Sequence, residues 1–370
     1  MRILIMGGTG AMGSHLVGIL AADPANELTV TTRKEFPSVE NGCIRYVRGN
    51  AHDIGFVRSL VPVGAKWDCI VDFMVYTPDE FRERVDFLLS VCKQYVFLSS
   101  ARVYAGSSEP IVETSPRLLD TVNDEVYLRT DEYALAKARE ENLLSQSGKT
   151  NWVIVRPYIT YSEIRLQLGV LEKEQWLYRA MNGRKIVFPK DIAEKMTTLT
   201  YGYDVACGIA AVAGKPAANG RAFHVTAAEA IRWSDVLGIY LDVLETHLGT
   251  RPGVVMPDAA PNLKNPETQY QVRYDRWYDR KFDNTQIDRF CDTAGFTKPA
   301  DGLRFCLERF VRNPRFAQIV WTAEARCDRI TGERTPLREI PSVKFRLAYL
   351  AARYMPVIYL NSYENLSNGN

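Results

Sequence analysis

The sequence is poor in histidine. It has four in 370 residues (His15, His52, His224 and His247), and none stands at metal-ligand spacing from another histidine or a cysteine, so no metal is expected. Its seven cysteines (Cys43, Cys69, Cys92, Cys207, Cys291, Cys306 and Cys327) are odd in number and form no C-x-x-C pair. That excludes a disulfide framework and a redox motif, and reads as free thiols in a reducing, cytoplasmic setting. An excess of one charge is also missing. Lys and Arg number 46 and Asp and Glu 44, giving +2, so nothing in the balance draws the chain to nucleic acid. No apolar run reaches the ~18 residues of a membrane span. The nearest, Leu347 to Leu360, is broken by Arg353 and Pro356. Met1-Arg2 leads into Ile3-Leu4-Ile5-Met6 and then glycine, too short an apolar stretch for a secretory leader. There is no internal repeat and no G-x-S-x-G elbow, and no histidine is placed to activate a serine nucleophile.

The chain is 46% hydrophobic and 24% charged, enough to bury a large core. Its first 157 residues alternate short apolar runs with amphipathic ones. Strands are expected at 2–7, 27–32, 43–48, 67–74, 94–100 and 151–156, and helices at 12–22, 54–60, 78–92 and 131–146. Such alternation predicts an α/β fold with a doubly wound parallel sheet covered on both faces. Beyond Pro157 the rhythm loosens. Helices are expected near 170–182 and 203–213, a strand at 223–226, and a helix 235–248 capped by Ser234 and closed by Gly249. Residues 251–280 read as irregular, 301–312 as helical, and 341–370 as a docked helix with a frayed end. The expected organisation is a dinucleotide-binding Rossmann domain at 1–160, to which later segments return, a smaller α/β substrate domain at 161–312, and an extension at 313–370.

Gly7-Gly8-Thr9-Gly10-Ala11-Met12-Gly13 lies between the first strand and the first helix, with glycines at G-x-x-G-x-x-G spacing. Glycine allows a tight turn and brings backbone N–H groups close to a pyrophosphate at a helix N-terminus. The second strand ends in Thr31-Thr32-Arg33-Lys34, without the acid that would bind an adenosine ribose. Arg33 and Lys34 suit a 2′-phosphate, which favours NADP over NAD. Asn50 and Asp53 follow the third strand, where the adenine is expected.

Tyr133-x-x-x-Lys137 puts a phenol and an ammonium on one helix face. A phenol has a pKa of about 10, and a neighbouring ammonium favours its phenolate, which suits proton exchange with a substrate hydroxyl. Ser100 closes the strand at 94–100, facing the crevice where open α/β sheets bind ligands. Gly7 to Gly13, Ser99-Ser100-Ala101-Arg102-Val103-Tyr104, Tyr133-x-x-x-Lys137 and Arg156-Pro157-Tyr158 together resemble the extended short-chain dehydrogenase/reductase family, in its nucleotide-sugar epimerase/dehydratase branch. Tyr203-Asp204-Val205, Gly220 to Val225 and Lys281 to Ile287 continue the likeness, which covers roughly residues 1–312.

The resemblance implies hydride transfer at a sugar carbon, with Ser100, Tyr133 and Lys137 catalytic. Ser99, Pro157 and Tyr158 would lie beside the cofactor, and Tyr76, Arg102 and Thr160 beside the sugar. Family dehydratases carry an Asp-Glu pair where this chain has Ala101-Arg102, which argues against 4,6-dehydration. An arginine that often contacts the diphosphate is replaced by Thr197-Thr198, leaving Lys195, Arg232 and Arg273 as candidate anion contacts. An NAD(P)-dependent epimerase and an NADPH-dependent keto-sugar reductase both fit. A non-catalytic dinucleotide-binding regulator is a third reading. The helices 78–92 and 131–146 have apolar stripes beyond the needs of one sheet face, which suggests a homodimer.

Overall fold

The computed structural model describes residues 1–34, 43–61, 63–261 and 266–355. Two compact units emerge. The first comprises Met1–Ser162, Thr197–Ala230 and Asp279–Gly302. The second comprises Glu163–Met196, Ile231–Tyr278 and the chain from Leu303 onward.

The first unit carries a parallel sheet of β1 (Arg2–Met6), β2 (Glu27–Thr32), β3 (Ile44–Arg48), β4 (Trp67–Asp72), β5 (Cys92–Leu98), β6 (Trp152–Pro157) and β7 (Arg221–Val225), in the order β7-β6-β5-β4-β1-β2-β3. Alternate residues feed two cores. Ile3, Ile5, Val30, Val71, Val96 and Val153 pack against α1 (Gly13–Ala21) and, later in the chain, the helix Gly202–Val212. Leu4, Met6, Ile70, Tyr95, Phe97 and Ile154 pack against α2 (Ile54–Ser59), α3 (Pro78–Arg82), α4 (Val85–Ser90) and Leu144 of α5 (Tyr133–Ser145). Burial on both faces is why these strands read as continuous apolar runs rather than alternating ones. The strand order reverses between β4 and β1, so the crevice beyond their carboxyl ends is the topological switch point where such sheets bind ligands.

The expected helix 78–92 is two helices. Thr77 and Glu80 form a capping box ahead of Pro78. The Arg84 side chain then takes the Glu80 carbonyl at 2.7 Å, an acceptor that a continuous helix gives to the Arg84 N–H; that N–H bonds Phe81 O instead. The guanidinium also holds the carbonyls of Ala51 and His52. The exposed positions of α3 and α4 are Asp79, Arg82, Asp86 and Ser90, and those of α5 are Tyr133 and Ser145. The apolar side chains Phe87 and Leu143 of these helices are half-buried. Strand β4 ends at Asp72 rather than residue 74, because its carboxylate accepts from Met74 N at 2.9 Å and turns the chain.

In the second unit, the helices Lys173–Met181 and Trp233–Leu248 meet through Trp176 stacked on Tyr240, with ring centroids 4.5 Å apart. The latter helix begins one residue before Ser234. Its cap is Arg232, whose N–H donates to Asp235 at 3.0 Å, and Gly249 closes it in a left-handed conformation. The stretch 251–280 is less irregular than its composition suggests. A helix at Pro266–Gln271 runs into a π turn, Val272–Arg276, that buries Val272, Tyr274, Asp275 and Arg276. A helix the sequence reading missed, Trp321–Thr331, packs with Val343–Tyr354 around Trp321, Ala325, Ile340, Tyr349 and Ala352. Residues 356–370 of the expected tail lie outside the described residues. Among the described residues no helix is long and apolar enough to cross a membrane, and no group of side chains is arranged to hold a metal ion.

Candidate active site

The phosphate loop is shaped by its glycines. Gly7 has φ +73°, a conformation that disfavours any side chain. A Cβ on Gly13 would meet the Gly8 backbone at 2.7 Å, and one on Gly8 would meet Ile5 and Val30 at 2.8 Å. Gly10 has open space where its Cβ would be, as a ligand cradle needs. The Gly7 N–H is anchored on Thr31 Oγ1 at 3.1 Å. Helix α1 starts without a side-chain cap and without an acid in its first turn, which leaves its positive end to an anion. These residues fit a dinucleotide pyrophosphate. Thr9, Gly10, Ala11 and Met12 are exposed or half-buried at the rim of the loop, and Thr160 Oγ1 lies 3.8 Å from Met12 Sδ.

Other expected cofactor residues fall as follows. Arg33 and Lys34 are exposed past β2. Asp53 caps α2 by accepting from Gly55 N at 2.8 Å, and Asn50 accepts from His52 N at 3.2 Å, so both order the turn after β3. Pro157 ends β6, and Tyr158 is buried against Phe282.

At the carboxyl end of β5 two adjacent serines have different partners. Ser99 Oγ donates to Glu141 at 2.6 Å, and Glu141 is held by Arg156 at 2.7 Å and by Arg117 at 3.3 Å. Ser100 caps a short 3-10 turn, its Oγ accepting from Arg102 N at 3.2 Å. The Arg102 guanidinium donates to Glu132 at 2.6 Å and lies over the Tyr133 ring at 5.5 Å. Glu132 caps α5, accepting from Ala134 N at 2.9 Å and from the Tyr127 hydroxyl at 3.0 Å. Arg102 and Glu132 therefore clasp the turn that carries Ser100 to the helix end that carries Tyr133. Tyr133 is 37% exposed, while Lys137, one turn along, is 1% exposed. Its ammonium lies 4.5 Å from the Phe97 ring centroid and donates to Glu140 at 2.9 Å.

Behind Lys137 lies Asp72, whose Oδ2 accepts from Tyr95 at 2.7 Å and from Tyr76 at 3.1 Å. Tyr76, expected beside the sugar, is buried with its hydroxyl turned to Asp72 and its ring under Arg84. Lys195, Arg232 and Arg273 belong to the second unit. There Arg232 pairs with Glu194 at 3.6 Å, and Arg273 lies over the Tyr274 ring at 5.2 Å. Thr198, at the position of the absent arginine, donates to Arg280 O at 2.7 Å. The sequence reading passed over Glu132, Glu140 and Asp72. Glu140 has a legible signal, since it stands three residues after Lys137 on the same helix. Glu132 is likewise adjacent to Tyr133 in the chain, whereas Asp72 has no such signal, because only the fold brings it to the site.

Residues 3–226, more than half of the chain, match the model of the NAD dependent epimerase/dehydratase family. The chain belongs to that family, and with it to the NAD-dependent enzymes of the extended short-chain dehydrogenase/reductase type. No curated protein matches the sequence. Among solved structures, the fold is similar to an epimerase of Methanothermobacter thermautotrophicus, with TM-score 0.64 and 18% identity over 84% of this chain and 92% of that one. It is similar to the UDP-glucuronic acid 4-epimerase of Bacillus cereus in complex with UDP-glucuronic acid and NAD, with TM-score 0.60 and 15% identity over 84% and 99%. It is also similar to the dTDP-glucose 4,6-dehydratase of Bacillus anthracis in complex with NAD, with TM-score 0.63 and 14% identity over 85% and 97%.

Proposed function

We propose that the protein is an NAD(P)-dependent nucleotide-sugar epimerase. The observation that carries this reading is the arrangement at one end of the first unit's sheet. A glycine cradle follows β1, and the half-exposed Tyr133, with Lys137 one turn behind it, flanks the end of β5. Gly7 to Gly13 would hold the pyrophosphate, and Lys137 the nicotinamide ribose. When bound, the nicotinamide supplies reversible hydride exchange at a sugar carbon. Tyr133 Oη takes the proton of the sugar hydroxyl and later returns it. Ser100 Oγ hydrogen-bonds the same oxygen and aligns it. Arg102, held by Glu132, lies over the Tyr133 ring and fixes its place beside the Ser100 turn. Ala101 and Arg102 supply no acid for eliminating water, which argues against 4,6-dehydration. Lys195, Arg232 and Arg273 are the proposed anion contacts of the second unit.

A second reading, an NADPH-dependent keto-sugar reductase, rests on Arg33 and Lys34, two exposed cations that close the acid-free strand end Val30-Thr31-Thr32. The experiment that separates the two is release of bound dinucleotide from denatured protein, followed by titration of NADPH and NADH into stripped protein. Co-purified NAD with no preference for NADPH supports the epimerase. Empty protein with a strong NADPH preference supports the reductase. In either case Tyr133→Phe is expected to lower turnover about 10²–10⁴-fold while dinucleotide still binds. Equal turnover in the variant would refute the role given to Tyr133, and a wild type that binds dinucleotide without turning over any keto sugar or nucleotide sugar would leave the regulator.

A further inference from the structure

Lys137 is the residue on which the proposed chemistry turns, yet its ammonium is committed to a neighbour. Nζ donates to Glu140 Oε2 at 2.9 Å, and both side chains are almost wholly buried. Glu140 bonds this cation directly, and Asp72 is within its electrostatic reach. Asp72 ends β4, opposite Phe97 of β5, and its oxygens accept from Tyr76, Tyr95 and the Met74 N–H. Glu140 has less support. Its Oε1 is buried without a hydrogen-bond partner among the described residues. A buried, unpaired carboxylate oxygen is costly, and holding a proton relieves part of that cost.

The groups facing Glu140 are Lys137 and Glu141 from its own helix, Asp72 from β4 and Tyr95 from β5, with Tyr76 on the far side of Asp72. Burial pushes the Glu140 carboxyl up to about 7, the Lys137 ammonium opposing it and Asp72 adding to it. The carboxyl therefore changes charge near neutrality.

We propose that Glu140 is a positioning residue that competes with the dinucleotide for Lys137. Ionised, it draws the ammonium back along α5 and sets a negative charge behind the cofactor site. Protonated, it releases the ammonium toward the ribose. Dinucleotide binding and the positive potential at Tyr133 then both weaken as pH rises through neutrality. This rests on the dinucleotide-binding reading above, and adds to it a proton-controlled brake made of a residue outside the Tyr-x-x-x-Lys motif.

The test is the affinity for NAD, measured by tryptophan fluorescence from pH 5.5 to 9 in the wild type, Glu140→Gln, Lys137→Met and the double variant. The wild type is expected to lose affinity about 5–10-fold across neutral pH, because an ionised Glu140 withdraws a charge-assisted donor. Glu140→Gln is expected to match the wild type at pH 5.5, to bind about 5–10-fold more tightly at pH 8.5, and to make no further difference once Lys137→Met is present. A role in holding the helix together predicts instead weaker binding at every pH with the wild-type inflection retained, and that result would overturn the proposal. Calorimetry on the unaltered protein supplies a check free of folding defects. NAD binding at pH 7 in buffers of different ionisation enthalpy is expected to take up a fraction of a proton, and zero uptake contradicts the competition. A wild type that binds neither NAD nor NADP sinks the dinucleotide reading and this inference with it. Binding with a flat pH profile sinks this inference alone.

Discussion

Each unit buries a cation among carboxylates, and the two are satisfied to different degrees. In the second unit Arg179 is 0% exposed, and all its donors are used. Nε bonds Lys185 O, one terminal nitrogen bonds Glu324 and Asp328, and the other bonds Thr331 and Glu333. In the first unit Lys137 has one hydrogen-bond partner among the described residues, and that partner's other oxygen has none. A planar fork with every donor placed fixes one geometry. An ammonium with donors to spare, beside a carboxyl that titrates near neutrality, can adopt more than one. Full satisfaction locks the helices Lys173–Met181 and Trp321–Thr331 together. Incomplete satisfaction leaves Lys137 available to a ligand.

The contrast can be broken most forcefully at Arg179. Arg179→Leu leaves Glu324 to Arg184 and Thr335, and Asp328 to the neutral donors Tyr349 and Thr335, and is expected to cost about 3–5 kcal/mol, read as a fall in urea midpoint. Lowering the pH through His224 should have a smaller effect. Burial holds its imidazole down at about 4, with Tyr104 and Asp283 O as its partners. The folded state thus refuses a proton that the unfolded chain takes near 6.5. Stability from this group is full above pH 6.5 and is lost as pH falls toward 4, by about 2–3 kcal/mol. His224→Gln should flatten that part of the urea-midpoint profile. Lys137→Met sharpens the contrast from the other side. Glu140 can take up a proton when its cation is removed, so the expected loss of stability is about 1 kcal/mol or less at pH 6. A loss as large as that for Arg179→Leu would make Lys137 a structural clamp like its counterpart.

The sheet was legible because both faces are buried, so that strands such as Cys69 to Val71 carry no polar interruption for the eye to misplace. Tyr133 and Lys137 were legible because helical spacing alone puts them on one face. The helix Trp321–Thr331 was not, and the Arg179 cluster explains why. Its inward positions include Glu324 and Asp328, carboxylates that read as surface until the arginine on another helix is known. The break in 78–92 was hidden for a similar reason, since an arginine inside an amphipathic run gives no sign that it will cap its own helix. Asp72 read as the polar residue of an otherwise apolar strand, and only the fold shows it behind Lys137.

The two serines after β5 differ by a single step along the chain, and they have separate partners. Ser99 is tied to Glu141 and through it to Arg156 and Arg117, while Ser100 sits on the turn beside Tyr133. Side chains of an extended strand alternate sides, so a shift of one position swaps them. The connection between α4 and β5, only Val91 long, therefore sets the reading frame of the site. Sequence drift can exchange residues there, but adding one would bring Ser99 to the place of Ser100 and set Leu98 opposite Glu141. Related enzymes that keep this chemistry are accordingly expected to vary the composition of that join and to conserve its length.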